Sequence, residues 1–114
     1  MIKRMGDSKI LSAAVVANGF AFLAGVTPKD RTGDVYEQTR DVLAQIESNL
    51  LAAGTDKTRL VNVNIWLKDI STFSEMNRAW QEWIPGDALP ARATVEARLA
   101  REDILVEIMV QAVV

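Results

Sequence analysis

Two side chains near the end of the sequence have types and positions that suit the binding of a small anion. Arg92 follows Pro90 at the start of a predicted strand, within the segment 89–99 (LPARATVEARL), and Glu107 lies in the next predicted strand. A guanidinium matches the geometry of a carboxylate and binds it through two parallel hydrogen bonds. Arg92 is therefore predicted either to hold the carboxylate of a small molecule or to form a structural ion pair with Glu107.

The alternation of a strand separates Arg92 from the apolar side chains of its own segment. Thr94 shares its face, whereas Ala93 and Val95 point to the opposite face. If the two final strands form a hairpin, Arg92 and Glu107 lie roughly 13 Å apart along the strand direction. Within one chain they would barely meet, so a shared site is expected only where two subunits come together.

The composition limits the chemistry that such a site can use. The chain contains no cysteine and no histidine. Disulfides, thiolate nucleophiles, Ser-His pairs and the commonest metal ligand are therefore ruled out. Catalysis has to rely on carboxylate, arginine, lysine, hydroxyl, backbone or water, and neither a metal nor a cofactor is expected.

Length and charge indicate one domain that spans residues 1–114. Apolar residues make up 49% of the chain and charged residues 25%, as in ordinary globular proteins. The net charge of −2, with both signs interspersed, gives no reason to expect a nucleic-acid partner. The apolar segment 10–26 is interrupted by Asn18-Gly19, which is typical of a hairpin turn. We expect a cytoplasmic protein without a membrane segment.

The apolar pattern predicts an α+β fold. One face of the strand 60–67 is predicted to carry Val61, Val63, Ile65 and Leu67 into the core. Because the strands are separated by only two helices, a mixed, mainly antiparallel sheet with both helices on one face is expected. The predicted helices span 34–53 and 72–84, and the predicted strands span 11–16, 20–25, 60–67, 93–99 and 105–114.

The last strand carries apolar side chains on both faces. Val106, Ile108 and Val110 lie on one side, and Met109 and Val113 lie on the other. Two helices can cover only one face of a sheet, so the second apolar face predicts that sheets of several subunits pack together.

The chain resembles the RidA/YjgF family of small imine and enamine hydrolases over essentially its full length. The most specific match is the segment 90–96 (PARATVE) followed by 105–108 (LVEI). Weaker matches in the same order lie at 22–25 (FLAG), 38–40 (QTR), 67–69 (LKD) and 76–77 (MN).

This resemblance implies a chorismate-mutase-like fold that assembles as a homotrimer around a barrel of three sheets, with clefts between subunits. It implies hydrolysis of 2-imino or 2-enamino acids to 2-keto acids and ammonia. Arg92 would hold the substrate carboxylate, and Glu107 from the adjacent chain would position or activate water. The substrate-binding residues implied in the same cleft are Gly25, Asn77, Ala93 and Thr94.

Three positions depart from the family's usual pattern. Leu11 stands where a tyrosine is usual, Ala24 where a serine is usual, and Thr94 where a cysteine is frequent. Leu11 and Ala24 make the cleft more apolar, whereas Thr94 still offers a hydroxyl. Two interpretations remain open: a deaminase for substrates with larger or more apolar side chains, and a trimer that binds small carboxylates or stabilises proteins without catalysis.

Overall fold

The computed structural model of the chain describes all 114 residues as a six-stranded sheet with two α-helices packed on one face. The strand order across the sheet is β1-β2-β3-β6-β4-β5. The elements in chain order are β1 (Ile2–Met5), β2 (Ala14–Ala17), β3 (Phe20–Leu23), α1 (Val35–Ala52), β4 (Leu60–Leu67), α2 (Phe73–Trp83), β5 (Ala91–Glu96) and β6 (Val106–Val113).

Local sequence signals explain where several elements begin and end. Asn18 and Gly19 both have positive φ angles, 52° and 81°, as a two-residue hairpin turn between β2 and β3 requires. Asp34 and Glu37 form the reciprocal capping box that starts α1. Gly54 follows α1 with a φ of 87°, a conformation that glycine adopts without strain. The predicted hairpin and first helix are therefore confirmed.

The predicted hairpin of the last two strands is wrong. β4 lies between β5 and β6, pairing in parallel with β5 and antiparallel with β6. A parallel pair needs a long crossover connection, and α2 supplies it between β4 and β5. The segment after β5 then carries the chain past β4 to its other side.

Three further differences concern the face of one side chain, the number of strands and the bounds of β5. Val61 is exposed rather than buried, because an irregularity in the pairing of β4 with β6 between Leu60 and Asn62 shifts its side chain away from the core. The strand β1 was not predicted, since its sequence, IKRM, is half charged and mostly exposed. β5 also begins and ends earlier than predicted, at Ala91 and Glu96.

The sheet has one covered face and one uncovered face. The core lies between the sheet and the helices, where Leu43, Ile46, Val63 and Ile108 are almost fully buried. On the other face no helix covers the sheet: Phe22 is 38% exposed, and Met109 and Val113 of β6 are only half-buried. The prediction of an apolar second face is therefore confirmed for the single chain. No helix in this fold is long and apolar enough to cross a membrane.

A buried glutamine ties the helix layer to the segment that precedes β6. Gln38 is only 1% exposed. Its amide nitrogen donates to the carbonyl of Asp103 at 2.9 Å, and its amide oxygen accepts from the N–H of Leu105 at 2.8 Å. This side chain therefore satisfies both backbone groups and holds the entry to the strand that carries Glu107.

We expect Gln38→Leu to lower the free energy of unfolding by about 1–3 kcal/mol, because two partly buried backbone groups lose their partner. Urea unfolding followed by circular dichroism measures the change. Gln81→Leu is the matched control: Gln81 is exposed on α2 and its replacement is expected to change stability by less than about 0.5 kcal/mol. Equal effects of the two substitutions would contradict the structural role of Gln38.

Candidate functional site

Arg92 lies on the helix-covered side of the edge strand β5. It is paired with Val63, which is fully buried beneath the helices. The guanidinium therefore points into the space between the sheet edge and α2, where it is half-buried. The β4–α2–β5 crossover sets this position, since it lays α2 over the strand that carries the arginine.

Three side chains of α2 surround the guanidinium. Nη1 of Arg92 donates to Oδ1 of Asn77 at 2.8 Å. The centre of the guanidinium lies 5.3 Å from the centroid of the Trp80 ring and 5.6 Å from that of Phe73. Both distances are within the range of cation–π attraction. Asn77, Trp80 and Phe73 lie on successive turns of one helix face and hold the arginine together.

All the groups that hold Arg92 are electrically neutral. No carboxylate lies within 4.0 Å of the guanidinium, since none of the four ion pairs of the structure includes it. Burial lowers the pKa of Arg92 from its usual value, because removal from water disfavours the charged form. The guanidinium stays protonated, because arginine titrates far above neutral pH. Its charge is thus partly desolvated and uncompensated, so an anion placed there would gain a strong interaction.

Glu107 lies on the uncovered face of the sheet. It is paired with Trp66 of β4 and is half-buried. A Cβ atom at Gly25 would overlap Oε2 of Glu107, so in this conformation the carboxylate occupies space that glycine leaves open beside the backbone. The hydrogen bonds between Val26 and Ile108, 2.8 and 3.1 Å long, bring the two segments together.

The predicted site residues form two groups that one chain does not bring together. Arg92 is paired with Val63, whereas Glu107 is paired with Trp66 on the opposite side of β4. The two residues are therefore separated by roughly 10 Å across the strands and by about 10 Å along them, and they point to opposite faces. The two residues form no ion pair within the chain, so the predicted pair would require a second subunit.

The predicted cleft residues divide between these groups. Asn77 lies with Arg92, and Gly25 lies with Glu107. Ala93 faces the uncovered side, opposite Asn64. Thr94 shares the covered side with Arg92, and its buried hydroxyl has no hydrogen-bond partner within the chain.

The largest groove of the surface lies elsewhere, between α1 and α2. It has a volume of about 650 Å³. Its carboxylates already have partners: Glu47 accepts from Trp83 and pairs with Lys57, and Glu82 accepts from the hydroxyl of Tyr36. Arg40, which also lines this groove, has no carboxylate partner but is exposed to water. Because a partly desolvated unpaired charge is the stronger sign of a ligand site, we place the candidate site at Arg92.

Sequence reasoning missed the role of two aromatic residues. Trp80 is a core residue, only 5% exposed. Its ring nevertheless contacts the guanidinium as well, as does that of Phe73. Their spacing from Asn77 was visible in the sequence, but the parallel register that brings β5 beneath them was not.

Three comparisons place this architecture among known proteins. The sequence model of a family described as endoribonuclease L-PSP matches residues 1–114. A RutC family protein from Haemophilus ducreyi is 39% identical over 114 residues, which are 100% of this chain and 97% of that protein.

Solved structures share the fold at high similarity. A YjgF family protein from Neisseria meningitidis is 43% identical with a TM-score of 0.96, and the match covers 99% of this chain and 94% of that chain. A member of the YjgF/YER057c/UK114 family from Mycobacterium tuberculosis is 28% identical with a TM-score of 0.91, and the match covers 100% of both chains.

The neutral partners of Arg92 are expected to fix the plane of its guanidinium. In an NMR spectrum of arginine side chains, the Nε–Hε signal of Arg92 should be displaced from those of exposed arginines by the two aromatic rings. Trp80→Leu should move the Arg92 signal toward the chemical shifts of exposed arginines, whereas Trp80→Phe should retain most of the displacement.

Trp83→Leu is the control for this measurement. Trp83 packs against Trp80 at 5.8 Å between ring centroids but does not contact Arg92. Its replacement should disturb the same helix and leave the Arg92 signal near its original position. An unchanged signal in Trp80→Leu, in protein that is folded by circular dichroism, would contradict the assigned contact.

Proposed function

The chain belongs to the RidA/YjgF family, and from this premise we propose that it hydrolyses reactive 2-imino and 2-enamino acids to 2-keto acids and ammonia. The observation that carries the proposal is the uncompensated guanidinium of Arg92, held by neutral groups at the edge of the sheet. A guanidinium without a carboxylate partner is suited to bind the carboxylate of a substrate through two parallel hydrogen bonds.

The reaction needs little more than this anchor and a water molecule. The carbon of a C=N bond is already electrophilic, so fixing the carboxylate places it for attack. Glu107 would orient the water and take one of its protons as the new C–O bond forms. The imine nitrogen takes this proton from Glu107, which gives a neutral carbinolamine. Glu107 would then accept the hydroxyl proton of the carbinolamine and pass it to the amino group, so the C–N bond breaks, ammonia leaves and a keto group remains.

We propose that the site is completed by two subunits of a homotrimer. In one chain, Arg92 and Glu107 point to opposite faces of the sheet and lie on strands separated by β4. A cleft that contains both is possible if Arg92 of one subunit meets Glu107 of another. The uncovered apolar face supports such an assembly, because packing sheets together would remove Phe20, Phe22 and Val95 from water.

A non-catalytic role is the alternative. Leu11 and Ala24 lack the hydroxyl groups usual at those positions, and the hydroxyl of Thr94 is buried without a partner. A trimer that keeps Arg92 but lacks these groups would bind small carboxylates or stabilise proteins without turnover. A ribonuclease role, which the family's description names, is not part of the proposal because a net charge of −2 gives weak attraction for a phosphate backbone.

The protein is expected to accelerate the decay of imino acids generated by an amino-acid oxidase, followed by trapping the remaining imine with semicarbazide. Arg92→Ala should lower kcat/KM at least about thirtyfold, and Arg92→Lys should restore only part of it, because lysine keeps the charge but not the fork geometry. Arg98→Ala, at an exposed arginine beyond the same strand, is the control. No acceleration by folded protein would favour the binding role.

The shared site is tested by mixing two inactive variants. Arg92→Ala and Glu107→Gln subunits, unfolded together and refolded, should recover about one quarter of wild-type activity, because about one quarter of random interfaces join an intact Arg92 to an intact Glu107. Each variant refolded alone should remain inactive. A mixture as inactive as its components, with an oligomer confirmed by light scattering, would contradict a site built from two subunits.

A further inference from the structure

A small groove opens beside Arg92. Its volume is about 280 Å³, close to the lower end of the range for small-molecule sites. It lies between α2, the segment that follows this helix and the start of β5. The lining residues are Asn77, Trp80, Gln81, Ile84, Leu89, Pro90 and Arg92.

The lining of this groove carries a single charge. Arg92 is the only charged residue among those that line it. A ligand with one carboxylate can therefore pair that group with Arg92. A second carboxylate on the same ligand would find no second cation, and an ammonium group would meet the like charge of Arg92 with no acidic residue to balance it.

The rest of the groove is mostly apolar. Leu89 is 65% exposed although it is a large aliphatic residue, and Pro90 restricts the backbone that presents it. Ile84 and Trp80 extend this apolar surface toward α2. A ligand anchored at Arg92 would thus place a neighbouring hydrocarbon group against Leu89, removing both from water.

This apolar surface is separate from the one that the sequence suggested. Leu11 and Ala24 were expected to make the cleft apolar, but neither lines the groove beside Arg92. The amide of Ala24 instead donates to the carbonyl of Ala13 at the far side of the sheet. Within the chain that supplies Arg92, the apolar surface next to the guanidinium therefore comes from other residues.

Building on the proposed function, we propose that the preferred substrates are 2-imino acids with a single carboxylate and an apolar side chain, and that Leu89 is a specificity-determining residue. The carboxylate binds Arg92, and the hydrocarbon side chain packs on Leu89. Imino acids with acidic or basic side chains are disfavoured because the groove holds no group that would balance the additional charge.

The test compares imines derived from leucine, alanine and glutamate as substrates of the full-length protein. Wild-type kcat/KM should be highest for the leucine-derived imine and lowest for the glutamate-derived one. Leu89→Lys should lower the ratio of kcat/KM for the leucine-derived imine to kcat/KM for the glutamate-derived imine at least about tenfold. The substitution removes the apolar contact and supplies a cation for the second carboxylate.

Leu51→Lys is the matched control. Leu51 is 62% exposed, is also a leucine, and lies on α1 away from Arg92, in the groove between the two helices. Leu51→Lys introduces the same positive charge and should leave the leucine-to-glutamate ratio of kcat/KM at the wild-type value. A wild-type preference for the glutamate-derived imine, or a ratio unaffected by Leu89→Lys, would overturn the inference.

Binding measurements separate this inference from the proposed reaction. If no imine is turned over, the deaminase proposal fails, and calorimetric titration with 4-methyl-2-oxopentanoate and 2-oxoglutarate then decides the selectivity. Tighter binding of the first compound, lost in Leu89→Lys and retained in Leu51→Lys, would support the groove as a site for apolar monocarboxylates. Equal binding of the two compounds, or no binding of either, would overturn it.

Discussion

The parallel pairing of β5 with β4 is the constraint on which the arrangement of the candidate site depends. It places Arg92 opposite a buried residue of β4, so the arginine points toward the helices rather than toward the open face. It also makes β5 an edge strand, which leaves one side of the arginine accessible. An antiparallel hairpin of β5 with β6 would instead have brought Arg92 and Glu107 onto adjacent strands.

The helix α2 has a structural and an electrostatic function because of this pairing. It supplies the crossover that a parallel pair requires. The same helix presents Asn77, Trp80 and Phe73 to the guanidinium, and all three are neutral. An acidic residue at any of these positions would hold the arginine more tightly but would compete with an anionic ligand. The neutral contacts thus orient the charge without cancelling it.

The uncovered face of the sheet connects assembly with chemistry. Glu107 lies on that face beside Gly25, among half-buried side chains of β6 such as Met109 and Val113. Under the proposed function, the residue that activates water is thus located where another subunit would pack. Self-association would then both bury apolar surface and bring together the two halves of the site.

The sequence alone determined the elements whose signals are local. Helix α1 was predicted over 34–53, and its end signals, Asp34 with Glu37 and Gly54, are local. The turn at Asn18-Gly19 was predicted from residues that tolerate positive φ. Arg92 was also identified from the sequence as a candidate carboxylate-binding residue. Its side-chain type and its position after Pro90 can be read directly from the sequence, and the family resemblance supports the same role. Tertiary structure decided the rest, because strand order and parallel pairing depend on contacts between distant segments. Only these contacts placed Trp80 and Leu89 beside Arg92, moved Val61 out of the core and separated Arg92 from Glu107 by an intervening strand.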